Sequence, residues 1–145
     1  VAASTARRQS RRIDIDVESI CGEVARYVPH EQGGGLVEVS AHVHEGATVH
    51  GSAYVEAGAV VGDGTSIGAS SWVDGDVRIG DDAIIGRNVY LGPGSRIGSR
   101  ARISDGARIG ACVVVAPDAR VVTDAVLPDG AVVLALNRRP PGAPV

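Results

Sequence analysis

Phenylalanine and methionine are absent from this 145-residue chain, and its aromatics amount to one Trp and three Tyr. Such residues supply much of the bulk of an ordinary globular core. A core built without them must be narrow and filled by nothing larger than Leu or Ile. The two cysteines, Cys21 and Cys112, lie far apart without Cys-x-x-Cys spacing, which argues against a disulfide framework or a zinc knuckle. No run of about 18 apolar residues occurs, and the first residues lack the apolar stretch of a signal peptide. The expectation is a cytoplasmic protein with no membrane partner. A net charge of −3 and a pI near 5.8 give no reason to expect nucleic acid either. P-loop, dinucleotide-fingerprint, Gly-x-Ser-x-Gly and His-Glu-x-x-His patterns are all missing.

What is present is a period. Every sixth residue from Val37 to Val133 is Val, Ile or Leu, seventeen times without exception. Two residues before each stands a small or β-branched side chain, from Gly35 and Ala41 to Ala125 and Ala131. Six is not a helical repeat: at 3.6 residues per turn it scatters the aliphatics around the helix. In an extended strand, residues two apart share a face, so the small residue and the aliphatic point inward together. Gly- and Asp/Asn-rich stretches such as Gly62-Asp63-Gly64, Asp81-Asp82 and Arg87-Asn88 then supply the turns. The reading is all-β: a parallel β-helix of hexapeptides with three hexads per coil and about five to six coils.

The remaining segments divide the chain. Residues 1–12 form a basic tail expected to be disordered. Residues 13–35 hold a capping segment and a Gly-rich hinge at Gly33-Gly34-Gly35. There Val17, Ile20, Cys21, Val24 and Val28 follow helical spacing, with Asp16 as N-cap, and predict a short helix over about 17–28. The β-helix is placed over 36–136, and a Pro-rich tail over 137–145.

Outward residues 18 apart stack on one another, because one coil takes three hexads. One face then carries Leu36, Tyr54, Trp72, Tyr90, Arg108 and Val126; a second carries His42, Val60, Arg78, Arg96, Val114 and Val132; a third carries Thr48, Ser66, Ile84, Arg102 and Arg120. An exposed aromatic ladder wants a cover, either a subunit or a stacked ring of a ligand. All four histidines come early, and His42 and His44 have Val60 and Gly62 one coil above. A three-ligand metal site within the chain is therefore unsupported, and no metal is expected.

The hexads over roughly 37–139 resemble the left-handed β-helix of the hexapeptide-repeat acyltransferases. Residues 49–73 and 85–103 look like the N-acetyltransferases that modify amino groups on UDP-sugars, and VVTDAVLPDGAVVLALNRRP (121–140) is similar to the segment closing the coil in acetyl-CoA-dependent members. The resemblance implies a homotrimer with acetyl-CoA as donor and a small-molecule acceptor in clefts between neighbouring prisms. Where those enzymes read I-W-H-F-S-H-V, this chain has Ile67-Gly68-Ala69-Ser70-Ser71-Trp72-Val73, without either histidine.

Acyl transfer to an amine requires a base, donors for the oxyanion and a cleft that aligns both substrates. His50 is the candidate base, displaced by one coil from the missing motif histidine. Asn88, which matches the Asn of the resemblance's I-G-x-N-V run, together with Tyr90, Trp72 and Tyr54, is the candidate acceptor-binding set. Arg138 and Arg139 are the candidates for the CoA phosphates. The competing reading is a catalytically silent β-helix trimer that serves as a scaffold or a regulatory, partner-binding subunit.

Overall fold

A computed structural model describes residues 15–18 and 24–135. Sixteen two-residue strands, β4 (His42–Val43) through β19 (Val132–Val133), succeed one another every six residues. Each pairs in parallel with the strands 18 residues away, as Trp72 does with Tyr54 and with Tyr90. The inter-coil bonds are regular: Trp72 N–H donates to Val89 O at 2.8 Å and Asp74 N–H to Leu91 O at 3.0 Å. Three sheets of eight, six and five strands close a prism, the parallel β-helix expected from the period, with the left hand that the resemblance implies.

Each two-residue strand places one side chain out and one in. None of the thirteen inward aliphatics from Val49 to Val121 is more than 4% exposed, and the small residues two before them are buried beside them. Three of these small positions are hydroxylated, and each hydroxyl is used twice. Thr65 Oγ1 donates to Gly80 O at 2.6 Å and accepts from Ala83 N–H at 3.2 Å; Ser71 and Ser95 repeat the arrangement one sheet apart. No buried side-chain polar atom among the described residues lacks a partner.

The three corners join the sheets in fixed order. The first (56–58, 74–76, 92–94 and equivalents) leads from the eight-stranded to the six-stranded sheet. The second (62–64, 80–82, 98–100) leads on to the five-stranded sheet, and the third (68–70, 86–88, 104–106) leads back. From Gly58 to Gly130 the last residue of each corner is left-handed. Where it is not Gly it is Ser70, Asp76, Asp82, Asn88, Arg100, Cys112, Asp118 or Asp124, with φ of 54–64°. Short polar side chains accept this region at least cost, which explains the four Asp and one Asn.

The helix expected over about 17–28 is not found among the described residues, where 17–18 and 24–28 are strand. Strand β1 (Ile15–Glu18) pairs antiparallel with β2 (Val24–Pro29), which pairs antiparallel with β3 (Leu36–Glu38), the lowest strand of the eight-stranded sheet. Asp16 is the ladder partner of Arg26 rather than an N-cap. β-Branched Val17, Ile20, Val24 and Val28, with Gly22 between them, are indifferent helix formers. The unpaired backbone edge of β3 is the stronger attraction. Gly33 and Gly34, with φ of +100° and +81°, then turn the chain so that Gln32 O accepts from Val49 N–H and Gly35 N–H donates to Val49 O, each at 3.0 Å. The bottom edges of two sheets are thus covered by strand and loop. The expectations for residues 1–12 and 137–145 lie outside the described residues.

Candidate functional site

The outward columns fall where the 18-residue spacing puts them. Tyr54, Trp72 and Tyr90 are consecutive rungs of the eight-stranded sheet, with Leu36 below and Arg108 and Val126 above. Tyr54 and Trp72 are 41% and 48% exposed, and their rings lie 5.9 Å apart at a 37° tilt. Tyr27, which the period does not reach, completes the stack from β2: its ring meets Tyr54 edge-on at 6.2 Å. All four aromatics of the chain therefore share one sheet.

Beside them runs a column the sequence reading did not single out. Glu38, Glu56 and Asp74 stand two residues after Leu36, Tyr54 and Trp72 and share their outward face. Glu38 is buried, its carboxylate held by Ser40 N–H at 2.9 Å and Ser40 Oγ–H at 2.7 Å. Glu56 accepts the Tyr27 hydroxyl proton, and Asp74 Oδ2 accepts the Tyr90 hydroxyl at 2.6 Å. Burial raises the Glu56 carboxyl above its ordinary range; the Tyr27 bond opposes this, and the nearby Asp74 and Glu38 charges add to it. The Tyr90 phenol is pushed up to about 12, chiefly by its bond to Asp74. The signal was present: acids recur at positions 38, 56 and 74, one coil apart.

The third corner stacks Ser52, Ser70 and Asn88 in one vertical line, with His50 two residues before Ser52 at the foot of that corner. His50 Nδ1 accepts Ser52 N–H at 3.2 Å and lies 3.1 Å from Ser52 Oγ, which accepts Ser70 N–H at 2.9 Å. An Nδ1 lone pair engaged by a backbone donor leaves the proton on Nε2. For His50 to take a proton from a substrate at Nε2, the ring must adopt the other tautomer and release Ser52. Its Nδ1 contact repeats that of His44, whose Nδ1 accepts Gly46 N–H at 2.9 Å, so part of the role of His50 is to cap its corner. Asn88 is exposed and left-handed at φ 54°, two coils or about 10 Å above Ser52. Ala69, half-buried, occupies the place of the missing histidine. Arg138 and Arg139 lie outside the described residues.

The site is thus a wall of outward side chains with a polar edge. An open concavity of about 470 Å³ lies at the bottom of the prism, between Val28, Pro29 and His30 on one side and Val37, Ala41 and Val43 on the other. No group of three His, Cys, Asp or Glu able to hold a metal occurs among the described residues. No helix among them is long and apolar enough to cross a membrane.

Residues 64–99 and 76–111 match the bacterial transferase hexapeptide family (six repeats). Perosamine N-acetyltransferase from Caulobacter crescentus, solved with CoA and GDP-perosamine, is similar at 29% identity with a TM-score of 0.61, over 68% of this chain and 49% of that one. The acetyltransferase domain of PglB from Neisseria gonorrhoeae FA1090, in complex with acetyl coenzyme A, is 30% identical over 68% of this chain and 50% of that one, with a TM-score of 0.36. The chain spans about half the length of these structures. A comparison with curated proteins finds no match.

Proposed function

We propose that this chain, which carries the hexapeptide repeat of the bacterial transferases on a left-handed β-helix, is an acetyl-CoA-dependent acyltransferase. The acceptor is the amino group of a sugar nucleotide or a similar small molecule, bound in clefts of a cytoplasmic homotrimer. The observation that carries the reading is the likeness to perosamine N-acetyltransferase, which was solved with both CoA and a nucleotide-linked amino sugar. In the reaction the acceptor nitrogen attacks the thioester carbonyl, a base takes the proton from nitrogen, and the C–S bond breaks to release CoA. His50 is the proposed base, its ring releasing Ser52 N–H and taking the other tautomer so that Nε2 can accept the proton. Trp72 and Tyr54 offer ring faces for the sugar, Tyr90 and Asn88 its polar contacts, and Arg138 and Arg139 the charge for the CoA phosphates.

Saturating acetyl-CoA, at about a hundred times its dissociation constant, should stabilise the fold by roughly 2.7 kcal/mol. The raised melting temperature should be followed by turnover with nucleotide-linked amino sugars, and His50→Ala should abolish that turnover while lowering the melt only by the small loss of its cap on Ser52 N–H. The second reading, a silent trimeric scaffold, draws on Ala69 in the histidine's place and on the occupied Nδ1 of His50. No thermal shift with acetyl-CoA or with CoA would favour it.

A further inference from the structure

The three sheets end differently at the foot of the prism. Under the eight-stranded sheet lies β2, and under β5 (Thr48–Val49) of the five-stranded sheet lies the loop 30–35. There Val49 N–H donates to Gln32 O, Val49 O accepts from Gly35 N–H, and Ala47 O meets His30 Nε2 at 2.8 Å. The equivalent groups of the six-stranded sheet are Val43 N–H, Val43 O and Ala41 O, on the lower edge of β4. His42 and His44 donate upward to Ala59 O and Val61 O, so Val43 between them points down. No described residue bonds these three groups. Val37 and Val43 are also left half-buried, whereas the core is shut from Val49 upward. An open strand edge and an open core meet here, and both invite another strand.

We propose that residues 7–12 of this same chain add as a strand to the lower edge of β4 and close the concavity there. Position favours them. Arg26 O accepts Val39 N–H, so Arg26 faces β3, and by alternation Tyr27 and Pro29 face β1. Tyr27 is the ladder partner of Ile15, where β1 begins. Pro29 has no N–H to give, so the chain before Ile15 finds no further ladder along β2. Its point of departure is therefore at the concavity, which Val28, Pro29 and His30 line. At about 3.3 Å per residue, the stretch from Ile15 back to Arg7 spans about 26 Å, more than the roughly 20 Å of a six-residue side.

Charge selects the segment. Glu31, Glu38 and Glu45 line the concavity, and no described Arg does. Ser40 holds the Glu38 carboxylate, but Glu31 and Glu45 are exposed and no described side chain pairs with their carboxylates. Residues 7–12 read Arg-Arg-Gln-Ser-Arg-Arg, without Pro or Gly to spoil a strand. Alternate residues of a strand face opposite ways, so Arg7 and Arg11 share one side and Arg8 and Arg12 the other. Either side turned to the concavity thus offers two guanidinium groups to the two open carboxylates. The backbone of the segment would meanwhile satisfy Val43 N–H, Val43 O and Ala41 O, as the loop 30–35 does for the neighbouring sheet.

Amide hydrogen exchange of the full chain, read residue by residue by NMR, tests this at one atom. Val43 N–H should exchange on the order of a hundredfold more slowly than an open amide in wild type. The variant Arg7→Ser/Arg8→Ser/Arg11→Ser/Arg12→Ser should lose that protection, and Glu31→Gln/Glu45→Gln should lose about tenfold of it. Unchanged protection of Ile85 N–H identifies variants that fold. Independently, a nitroxide on Arg8→Cys, in a chain also carrying Cys21→Ser and Cys112→Ser, should broaden the Val43 and Glu45 amides of its own chain. Mixing labelled chains with unlabelled, isotope-enriched ones separates this from a second copy's segment. Val43 exchanging in wild type as an open amide, protection that survives both sets of substitutions, or broadening stronger between chains than within one overturns the proposal.

Discussion

The inner and outer residues of each strand are adjacent in the chain, yet they obey different rules. Ile85 and Ile84, or Ile97 and Arg96, differ by one position; the first of each pair is shut in the prism and the second faces out. Inside, the column tolerates only Val, Ile and Leu over seventeen hexads. Outside, successive positions are Tyr, Val, Ser, Trp, Arg and Ile, from Tyr54 to Ile84. The prism is held by one column, which leaves the other free to vary and to define each face chemically.

The largest break in this contrast is a charge placed inside. Ile85→Asp should unfold the chain, because a buried carboxylate without a partner costs several kcal/mol; circular dichroism and a melting curve would show it, and a cooperative melt near the parent temperature would refute it. Truncation is the next step down. Ile103→Ala should lower stability by about 2–5 kcal/mol in urea unfolding, while its outward neighbour Arg102→Ala should stay within about 0.5 kcal/mol. Thr65→Val keeps the volume but strands Gly80 O and Ala83 N–H, so a loss of about 1–3 kcal/mol is expected by the same measurement.

The smallest effect sharpens the outer side. The Glu56 carboxyl is raised above its ordinary 4.5 by burial, opposed by Tyr27 and reinforced by Asp74 and Glu38. The folded chain therefore holds that proton longer than the unfolded chain does. Its contribution is complete below the ordinary value and is lost as pH rises through the raised one. Glu56→Gln should flatten that limb of a melting-temperature profile, with wild type and variant converging at the acidic end. A profile that keeps its slope in the variant would assign it to another group.

Much of this was legible in the sequence because a six-residue period admits few alternatives. Val37 to Val133 set the core, and arithmetic in steps of 18 placed Tyr54, Trp72 and Tyr90 on one sheet. Outside the repeat the arithmetic has no purchase. Val17, Ile20, Val24 and Val28 have helical spacing, yet β2 pairs with the edge of β3, a tertiary attraction that local spacing does not register. Tyr27 was missed for the same reason. Glu56 and Asp74 were missed differently: they begin corners, where polar residues are the rule, and only their stacking beside the aromatics sets them apart. The tautomer of His50 depends on a bond to Ser52 N–H that no residue pattern reveals.

The uninterrupted period also makes length a quantised property. Adding or deleting one residue within the coils would exchange inside for outside in every strand that follows. Adding or deleting six would keep every aliphatic in the core but turn all later rungs by one sheet, carrying Arg96 away from Arg78. Only a change of eighteen residues restores both, adding or removing a storey while every column continues in line. The fold can therefore be edited in sixes, but its surface only in eighteens, so a lineage of such chains can change height far more easily than it can move a single face.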